Sequence, residues 1–132
     1  MSNQQKVQVI TEKAPAAIGP YSQGIVFNNL VFTSGQIALN PVSGNIVGED
    51  VAAQTAQVLE NLQEVLLAAG ASLNTVIKTT VFLQDMGKFT EFNSVYARYF
   101  KEPFPSRSTI EAAALPKGAL VEIEAVAYIP EQ

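Results

Sequence analysis

The sequence contains no cysteine and no histidine among its 132 residues. Without cysteine there is no disulfide, no thiolate nucleophile and no cysteine-held metal or iron–sulfur cluster. Without histidine there is no Ser-His-Asp triad, no imidazole acid–base catalysis and no histidine-ligated zinc site. Any chemistry must therefore use carboxylates, phenols, hydroxyls, amines, guanidinium groups, the backbone and water.

Charged residues are also scarce. They make up 15% of the chain, against 48% hydrophobic residues, and the formal net charge is −4. The lysines and arginines form no cluster, so the charge pattern gives no support to a nucleic-acid partner. A chain this apolar has few groups with which to coat a monomer's whole surface, and we expect it to bury part of that surface against copies of itself.

The sequence shows no targeting or membrane segment. Its N-terminal residues lack the apolar core of a signal peptide, and no apolar run approaches the length of a membrane span. The length fits one domain with its own core. We therefore expect residues 1–132 to form a single domain of a cytoplasmic protein with no membrane partner.

The periodicity predicts an α+β domain in which two helices cover one face of a mixed sheet. Asp50 is a helix N-cap candidate, and Gly70 is placed to end that helix. The second helix carries aromatics at helical spacing, a pattern more typical of a core than of cofactor contacts. The predicted order is β-β-β-α-β-α-β-β, with strands at 7–10, 22–27, 30–38, 75–83, 106–113 and 120–129 and helices at 51–69 and 88–100.

Side-chain alternation divides the last strand into two faces. Val121, Ile123 and Ala125 suit packing under the helices, whereas Glu122 and Glu124 lie on the other face beside apolar residues. That second face fits either a solvated outer surface or a subunit interface with carboxylates at its wet edge. The low charge density favours the interface.

Arg107 is the most informative single residue, because it is one of only two arginines and stands at the head of a predicted strand. Its guanidinium is a planar fork of donors suited to a carboxylate or phosphate. Thr109 and Glu111 alternate onto the same face. If this strand forms a hairpin with the last one around Pro116, Glu122 to Glu124 join them. Such a cluster is either a plain cross-strand ion pair or a small anion site with a glutamate handling a proton or water.

Two further segments, one in a loop and one within a strand, carry small or polar groups that are candidates for a site. Tyr21 stands in a glycine-flanked loop, where it is either an ordinary interfacial tyrosine or a lid or general acid. Ser34 and Gly35 interrupt the third strand, which marks either a β-bulge or the close approach of a ligand or another backbone.

Short segments along the chain are informative in their order and spacing: APAAIGPYSQ at 14–23, TSGQI at 33–37, VIKTTVFL at 76–83, FNSVY at 92–96, PSRS at 105–108, ALPK at 114–117 and VEIEA at 121–125. Taken together, they resemble the RidA (YjgF-type) reactive-intermediate deaminase family over almost the whole chain. The resemblance implies a chorismate-mutase-like α+β fold and a homotrimer whose sheets form a central barrel, with active sites in clefts between subunits.

The resemblance also implies an activity: hydrolysis of enamine and imine intermediates, such as 2-aminoacrylate and 2-aminocrotonate, to 2-keto acids and ammonia. These intermediates are released by PLP-dependent dehydratases, and the family itself uses no cofactor. Imine hydrolysis also needs no metal. By position, Arg107 is implied to pair with the substrate carboxylate, Glu122 to orient or protonate around the attacking water, and Tyr21 to close the site. Ser34, Gly35 and Asn93 are implied to line the pocket.

One position departs from the family pattern, because many members carry cysteine where this chain has Thr109. That position is implied to contribute chiefly backbone groups, which threonine also supplies. Two other functions stay open. One is a non-catalytic regulatory protein that binds small carboxylates in the same cleft, and the other is a ribonuclease or translation inhibitor.

Overall fold

The computed structural model describes residues 5–131 as six strands and two α-helices in the predicted order. Several strands are shorter than predicted: the third ends at Thr33 instead of residue 38, and the fifth ends at Glu111 instead of residue 113. The elements are β1 Val7–Val9, β2 Gly24–Phe27, β3 Leu30–Thr33, α1 Val51–Ala68, β4 Val76–Leu83, α2 Phe89–Tyr99, β5 Ser106–Glu111 and β6 Val121–Tyr128.

The six strands form one mixed sheet in the order β1-β2-β3-β6-β4-β5. Only β4 and β5 run parallel, because α2 carries the chain back across the sheet between them. The predicted hairpin between the last two strands is wrong, because β4 lies between β5 and β6. In this chain the crossover through α2 places the fifth strand at the sheet edge beside the fourth.

Local signals define α1 at both ends. The Asp50 carboxylate accepts a hydrogen bond of 2.8 Å from the Ala53 N–H, as an N-cap does. Gly70, with φ of +89°, follows the last turn. There the Gly70 N–H donates to the Leu67 carbonyl and the Ala71 N–H to the Leu66 carbonyl, the pair of bonds that defines a Schellman motif.

The core lies between the two helices and one face of the sheet. The predicted alternation along β6 is confirmed: Val121, Ile123 and Ala127 are fully buried on the helix side. Leu59 and Leu62 of α1 pack there in the same cluster. Burial of such side chains stabilises each by about 1.5–3 kcal/mol, which fixes β6 at the centre of the sheet.

The opposite side of the sheet, here called the open face, carries apolar side chains that residues 5–131 leave partly exposed. Phe32, Ile110 and Tyr128 are 44%, 52% and 41% exposed there. Glu122 and Glu124 of β6 share this face. Among the described residues, no helix is long and apolar enough to cross a membrane.

Candidate active site

A β-bulge forms where β3 gives way to the following loop. Phe32 pairs with Val126 and Gln36 with Ile123, so β3 uses one residue more than β6 over this interval. The Thr33 hydroxyl fills the resulting gap in the ladder by accepting the Ala125 N–H at 3.0 Å. The sequence left a bulge as one of two interpretations of this segment, and the bulge is what forms.

The bulge brings Gly35 against the carboxylate of Glu122. A Cβ atom at position 35 would collide with the Glu122 Oε2 atom, so only glycine leaves room for this arrangement. Ser34 is held beside it, since its hydroxyl donates to the Ser22 carbonyl at 2.5 Å and its N–H to the Gln23 carbonyl at 3.0 Å. Glycine at position 35 is therefore what allows the flexible end of the Glu122 side chain to rest here.

Burial raises the pKa of Glu122 above the usual range of a glutamate, and the nearby negative charge of Glu124 raises it further. Both causes act in the same direction, because each disfavours the charged carboxylate. A carboxyl group with a raised pKa takes up and returns a proton more readily near neutral pH than an ordinary glutamate does. Glu122 therefore has the electrostatic setting of an acid–base residue.

Tyr21 lies in the loop that precedes β2 and is 51% exposed. Its phenol oxygen accepts a long hydrogen bond of 3.4 Å from the Ile18 N–H, and its own N–H donates to the Gly19 carbonyl. The phenol thus folds over its own loop, with its outer side open to solvent. Both the interfacial tyrosine and the lid remain compatible with this position.

Gln23 anchors that loop, a role that the residue pattern did not reveal. Its side-chain amide is buried, with 4% exposure, and donates to the Thr11, Ala14 and Pro15 carbonyls while accepting the Thr11 N–H. An amide in this position ties the chain before β2 into a fixed path. The only sequence feature that pointed to this anchoring role was a single glutamine immediately before an apolar strand.

These residues surround a cavity of about 540 Å³, here called the glutamate half-site. Lys117 also lines it, in a left-handed conformation with φ of +57° and with its ammonium donating to the Gly44 carbonyl at 3.2 Å. Lys117 was not among the site residues predicted from sequence, although a lysine between proline and glycine indicates a turn. Of the site residues predicted from sequence, the glutamate half-site contains Tyr21, Ser34, Gly35 and Glu122.

Arg107 lies in a second cavity of about 430 Å³, here called the arginine half-site, which Asn93 also lines. The Arg107 Cζ atom is 4.8 Å from the centre of the Tyr96 ring, 5.5 Å from Phe89 and 5.7 Å from Phe92. Phe92 and Tyr96 belong to the core, as expected from their spacing, and they also form the wall behind the guanidinium.

Thr109 belongs to the same strand edge. Ala112 donates its N–H to the Leu83 carbonyl of β4, and donors toward one neighbour recur at every second residue of a parallel strand. The N–H groups of Arg107 and Thr109 therefore point away from β4, toward the open edge of the sheet. A backbone donor is available there without any side-chain participation.

The two half-sites do not meet within one chain. Arg107 pairs with Thr79, which also pairs with Ala125, so Arg107 projects from the helix side. Glu122 lies on the open face, so the expectation that Arg107, Thr109 and Glu122 share a sheet face is wrong. The cause is β4, which takes the place beside β5 that the expected hairpin gave to β6. The cross-strand ion pair considered from the sequence is excluded with it.

Comparison of the sequence with known proteins shows which family and which proteins the chain is similar to. The family model described as endoribonuclease L-PSP matches residues 11–129. The chain is 52% identical to the chloroplastic Reactive Intermediate Deaminase A of Arabidopsis thaliana, over 97% of this chain and 68% of that protein. It is 48% identical to the human 2-iminobutanoate/2-iminopropanoate deaminase, over 90% of this chain and 87% of that one.

Comparison with solved structures leads to the same group of proteins. The crystal structure of Escherichia coli TdcF with bound serine superimposes with a TM-score of 0.87 at 41% identity, and the match covers 92% of this chain and 98% of that one. The six-stranded sheet and the two helices described above are thus the fold of these relatives.

Proposed function

The chain belongs to the endoribonuclease L-PSP family, together with the RidA-type deaminases, and from this premise we propose that it hydrolyses reactive imines and enamines of 2-amino acids. The proposed products are 2-keto acids and ammonia, and the proposed substrates are 2-iminopropanoate and 2-iminobutanoate with their enamine forms. Removing such intermediates would protect PLP-dependent enzymes from damage. The observation that carries the proposal is the division of complementary groups, a guanidinium and a desolvated carboxylate, between two separate cavities.

Two subunits are needed to complete each site under this proposal. The apolar residues of the open face support a homotrimer in which the three sheets enclose a central barrel, since association would cover Phe32, Ile110 and Tyr128. The arginine half-site of one subunit would then face the glutamate half-site of the next. Each boundary would hold one complete site.

The arginine half-site would bind the substrate. The guanidinium of Arg107 makes a bidentate pair with the C1 carboxylate of the substrate, and Thr109 contributes its outward N–H group. Asn93 adds an amide at the rim of the same cavity. The serine bound in the related TdcF structure is a 2-amino acid with the same C1 carboxylate, which supports this class of ligand.

The glutamate half-site would supply the proton transfers. An enamine first takes a proton from solvent at C3 and becomes the iminium ion. The Glu122 carboxylate takes a proton from water as the water oxygen bonds to C2, and it then donates that proton to the nitrogen of the tetrahedral intermediate. The C2–N bond breaks as ammonia leaves, and the remaining hydroxyl proton returns to the Glu122 carboxylate as the carbonyl forms. Tyr21 closes over the substrate, and Ser34 and Gly35 form the wall. Positioned acid–base help of this kind contributes about 10²–10⁴-fold.

This reaction consumes only water, so the residues present suffice without a bound metal or cofactor. The intermediates also hydrolyse unaided, and the protein has to accelerate an available reaction. Orientation of the carboxylate by Arg107 adds to the acid–base contribution, because it holds C2 at a fixed distance from the water.

A coupled assay tests the proposal. Serine or threonine dehydratase generates the intermediate, and keto-acid appearance is followed with and without the protein under conditions that slow solvent hydrolysis. We expect faster appearance with the protein and no acceleration with Arg107→Ala. Saturable binding of a keto acid without any acceleration would instead support the non-catalytic, carboxylate-binding regulator. An Arg107→Ala protein as active as the parent would refute the carboxylate role.

The family description also names an endoribonuclease, which makes RNA cleavage a second candidate. The net charge of −4 and the lack of clustered cations give RNA phosphates little to bind. Incubating the protein with single-stranded RNA decides the matter, provided that Arg107→Ala purified in parallel controls for contaminating nuclease. Cleavage by the parent protein alone would favour the ribonuclease.

A further inference from the structure

Arg107 is held by aromatic faces. Among the described residues it forms no ion pair with a carboxylate, although twelve acidic residues occur in the chain. Three rings stand around its guanidinium carbon instead, and the Tyr96 ring is the nearest at 4.8 Å. Arginine is thus retained in a half-buried site without a counter-charge.

An aromatic ring and a carboxylate contact different parts of an arginine side chain. An aromatic face attracts a cation through its quadrupole and contacts the flat side of the guanidinium. The N–H donors project from the edges of that plane, so a ring does not occupy them as a carboxylate would. A guanidinium held by rings rather than by a carboxylate keeps its net positive charge for an incoming anion.

Tyr96 is itself fixed more firmly than the other rings. Its hydroxyl shares a buried hydrogen bond of 2.8 Å with the Thr79 hydroxyl, and its ring packs 4.5 Å from the Phe100 ring and 5.4 Å from the Phe92 ring, centre to centre. Burial raises the pKa of the Tyr96 phenol, outweighing the opposite effects of Thr79 and Arg107, so the phenol stays neutral.

Thr79 also pairs directly with Arg107 in the parallel ladder between β4 and β5. The backbone that carries the guanidinium and the ring that supports it are therefore fixed to the same residue. A change at the Thr79–Tyr96 hydrogen bond reaches Arg107 without any contact with substrate.

We propose that Tyr96, tied to Thr79, is the positioning residue for Arg107: it sets the angle of the guanidinium for binding a small carboxylate. This inference rests on the proposed function only in naming the carboxylate as that of the substrate. Tyr96 does not take part in the proton transfers.

The test compares four variants. Tyr96→Leu removes the ring and the hydroxyl, Tyr96→Phe keeps the ring, and Thr79→Val removes only the hydrogen-bond partner. Tyr99→Leu is the matched control, because Tyr99 is a partly buried tyrosine on the same helix that packs against the core without stacking on Arg107.

Arginine Nε–H signals in NMR spectra report the geometry directly. The chain has only Arg98 and Arg107, so two signals are expected. Ring currents should displace the Arg107 signal upfield of the Arg98 signal, which comes from an exposed side chain. Tyr96→Leu should move the Arg107 signal toward Arg98, Tyr96→Phe and Thr79→Val should shift it less, and Tyr99→Leu should leave it unchanged.

Binding and kinetics supply the functional measurement, with pyruvate as the probe. A lost positioning contact acts on ground state and transition state alike, so the pyruvate Kd and the KM should rise about tenfold in Tyr96→Leu while kcat changes less than about threefold. Tyr96→Phe should restore most of the affinity. If Tyr96→Leu does not fold, Tyr96→Phe and Thr79→Val test the inference by themselves. In both we expect a shifted Arg107 signal and a pyruvate Kd about two- to threefold higher than in wild type.

Two results would overturn the inference. One is an unchanged Arg107 signal and an unchanged pyruvate Kd in both Tyr96→Phe and Thr79→Val. The other is a Tyr96→Leu protein whose Arg107 signal and pyruvate Kd match those of Tyr99→Leu. Failure of the inference is distinct from failure of the proposed function. A wild-type protein that binds pyruvate through Arg107 yet accelerates no imine hydrolysis refutes the deaminase and leaves the positioning role of Tyr96 supported.

Discussion

Arg107 and Glu122 lie on opposite faces of one sheet, with strand β4 between the strands that carry them. The guanidinium projects to the helix side among aromatic rings, and the carboxylate rests on the open face against Gly35. A rotation of either side chain does not carry it through the sheet. If both act on one substrate, the second group comes from another subunit.

Mixing two inactive variants should therefore restore activity. Arg107→Ala retains an intact glutamate half-site, and Glu122→Gln retains an intact arginine half-site. After the two are unfolded together and refolded at equal amounts, about a quarter of the boundaries in a cyclic oligomer combine the two intact halves. Keto-acid formation in the coupled assay should return to about a quarter of the wild-type rate.

Each variant refolded alone serves as the control, as does the double variant mixed with wild type. Activity that stays at the level of the separate variants, in a mixture shown by mass spectrometry to contain mixed oligomers, would place both residues in one subunit's site or remove one of them from catalysis.

The sequence predicted the fold where the signals are local. Asp50 and Gly70 mark the two ends of α1 as expected, because a helix cap depends only on the few residues beside it. The alternation along β6 assigned Ile123 to the core and Glu122 to the other face correctly, because a strand has a period of two.

The sequence did not predict which strands are neighbours. Adjacency in the chain indicated a β5–β6 hairpin, yet the crossover through α2 places β5 at the far side of β4. For the candidate site, residue types identified Arg107 and Glu122. The Glu122–Gly35 contact and the loop anchored by Gln23 depend on register between distant segments, which no local pattern encodes.

Gly35→Ala should abolish most of the catalytic acceleration. The added Cβ occupies the position of the Glu122 carboxylate, which must move, and loss of a positioned acid–base group costs about 10²-fold or more. The coupled assay measures kcat, and the pyruvate Kd should change little because Arg107 lies on another surface. Gly87→Ala is the matched control, since Gly87 has no positive φ, its added Cβ would lie 3.0 Å from the Asp85 Oδ1 atom, and it lines neither half-site. Full activity in Gly35→Ala would show that Glu122 need not occupy this position.

Thr109 should act through its backbone, so Thr109→Ala should retain activity within about threefold of wild type. Thr109→Pro removes the N–H that points to the open edge, and it breaks no β4 hydrogen bond, because that N–H does not face β4. We expect the pyruvate Kd to rise about tenfold in Thr109→Pro. Circular dichroism checks that the strand edge is intact, and equal affinity in the alanine and proline variants would exclude a backbone contact.

The fall of the catalysed rate toward acid pH, here called the acidic limb of the pH–rate profile, should depend on Glu124. Repulsion from Glu124 helps to raise the pKa of Glu122, and a base that takes a proton from water works in its ionised form. Glu124→Gln should therefore shift the limb to lower pH, once the uncatalysed rate is subtracted. The exposed Glu12 offers a control substitution of the same kind. A limb at the same pH in Glu124→Gln would mean that another group controls it.

Glu122→Gln should stabilise the protein at neutral pH while it removes activity. The pKa of Glu122 is raised in the folded state, so between its unfolded and folded pKa values the native chain binds more protons than the unfolded chain. Stability from this group therefore falls as pH rises through that window, and the loss is complete above the folded pKa. Glutamine carries no such penalty, so its Tm should exceed that of wild type at pH 7, and the difference should shrink as pH is lowered through the same window. Thermal unfolding of both proteins across that pH range measures the difference. A gap that widens toward acid pH would mean that ionised Glu122 stabilises the fold, contrary to the desolvation assigned to it.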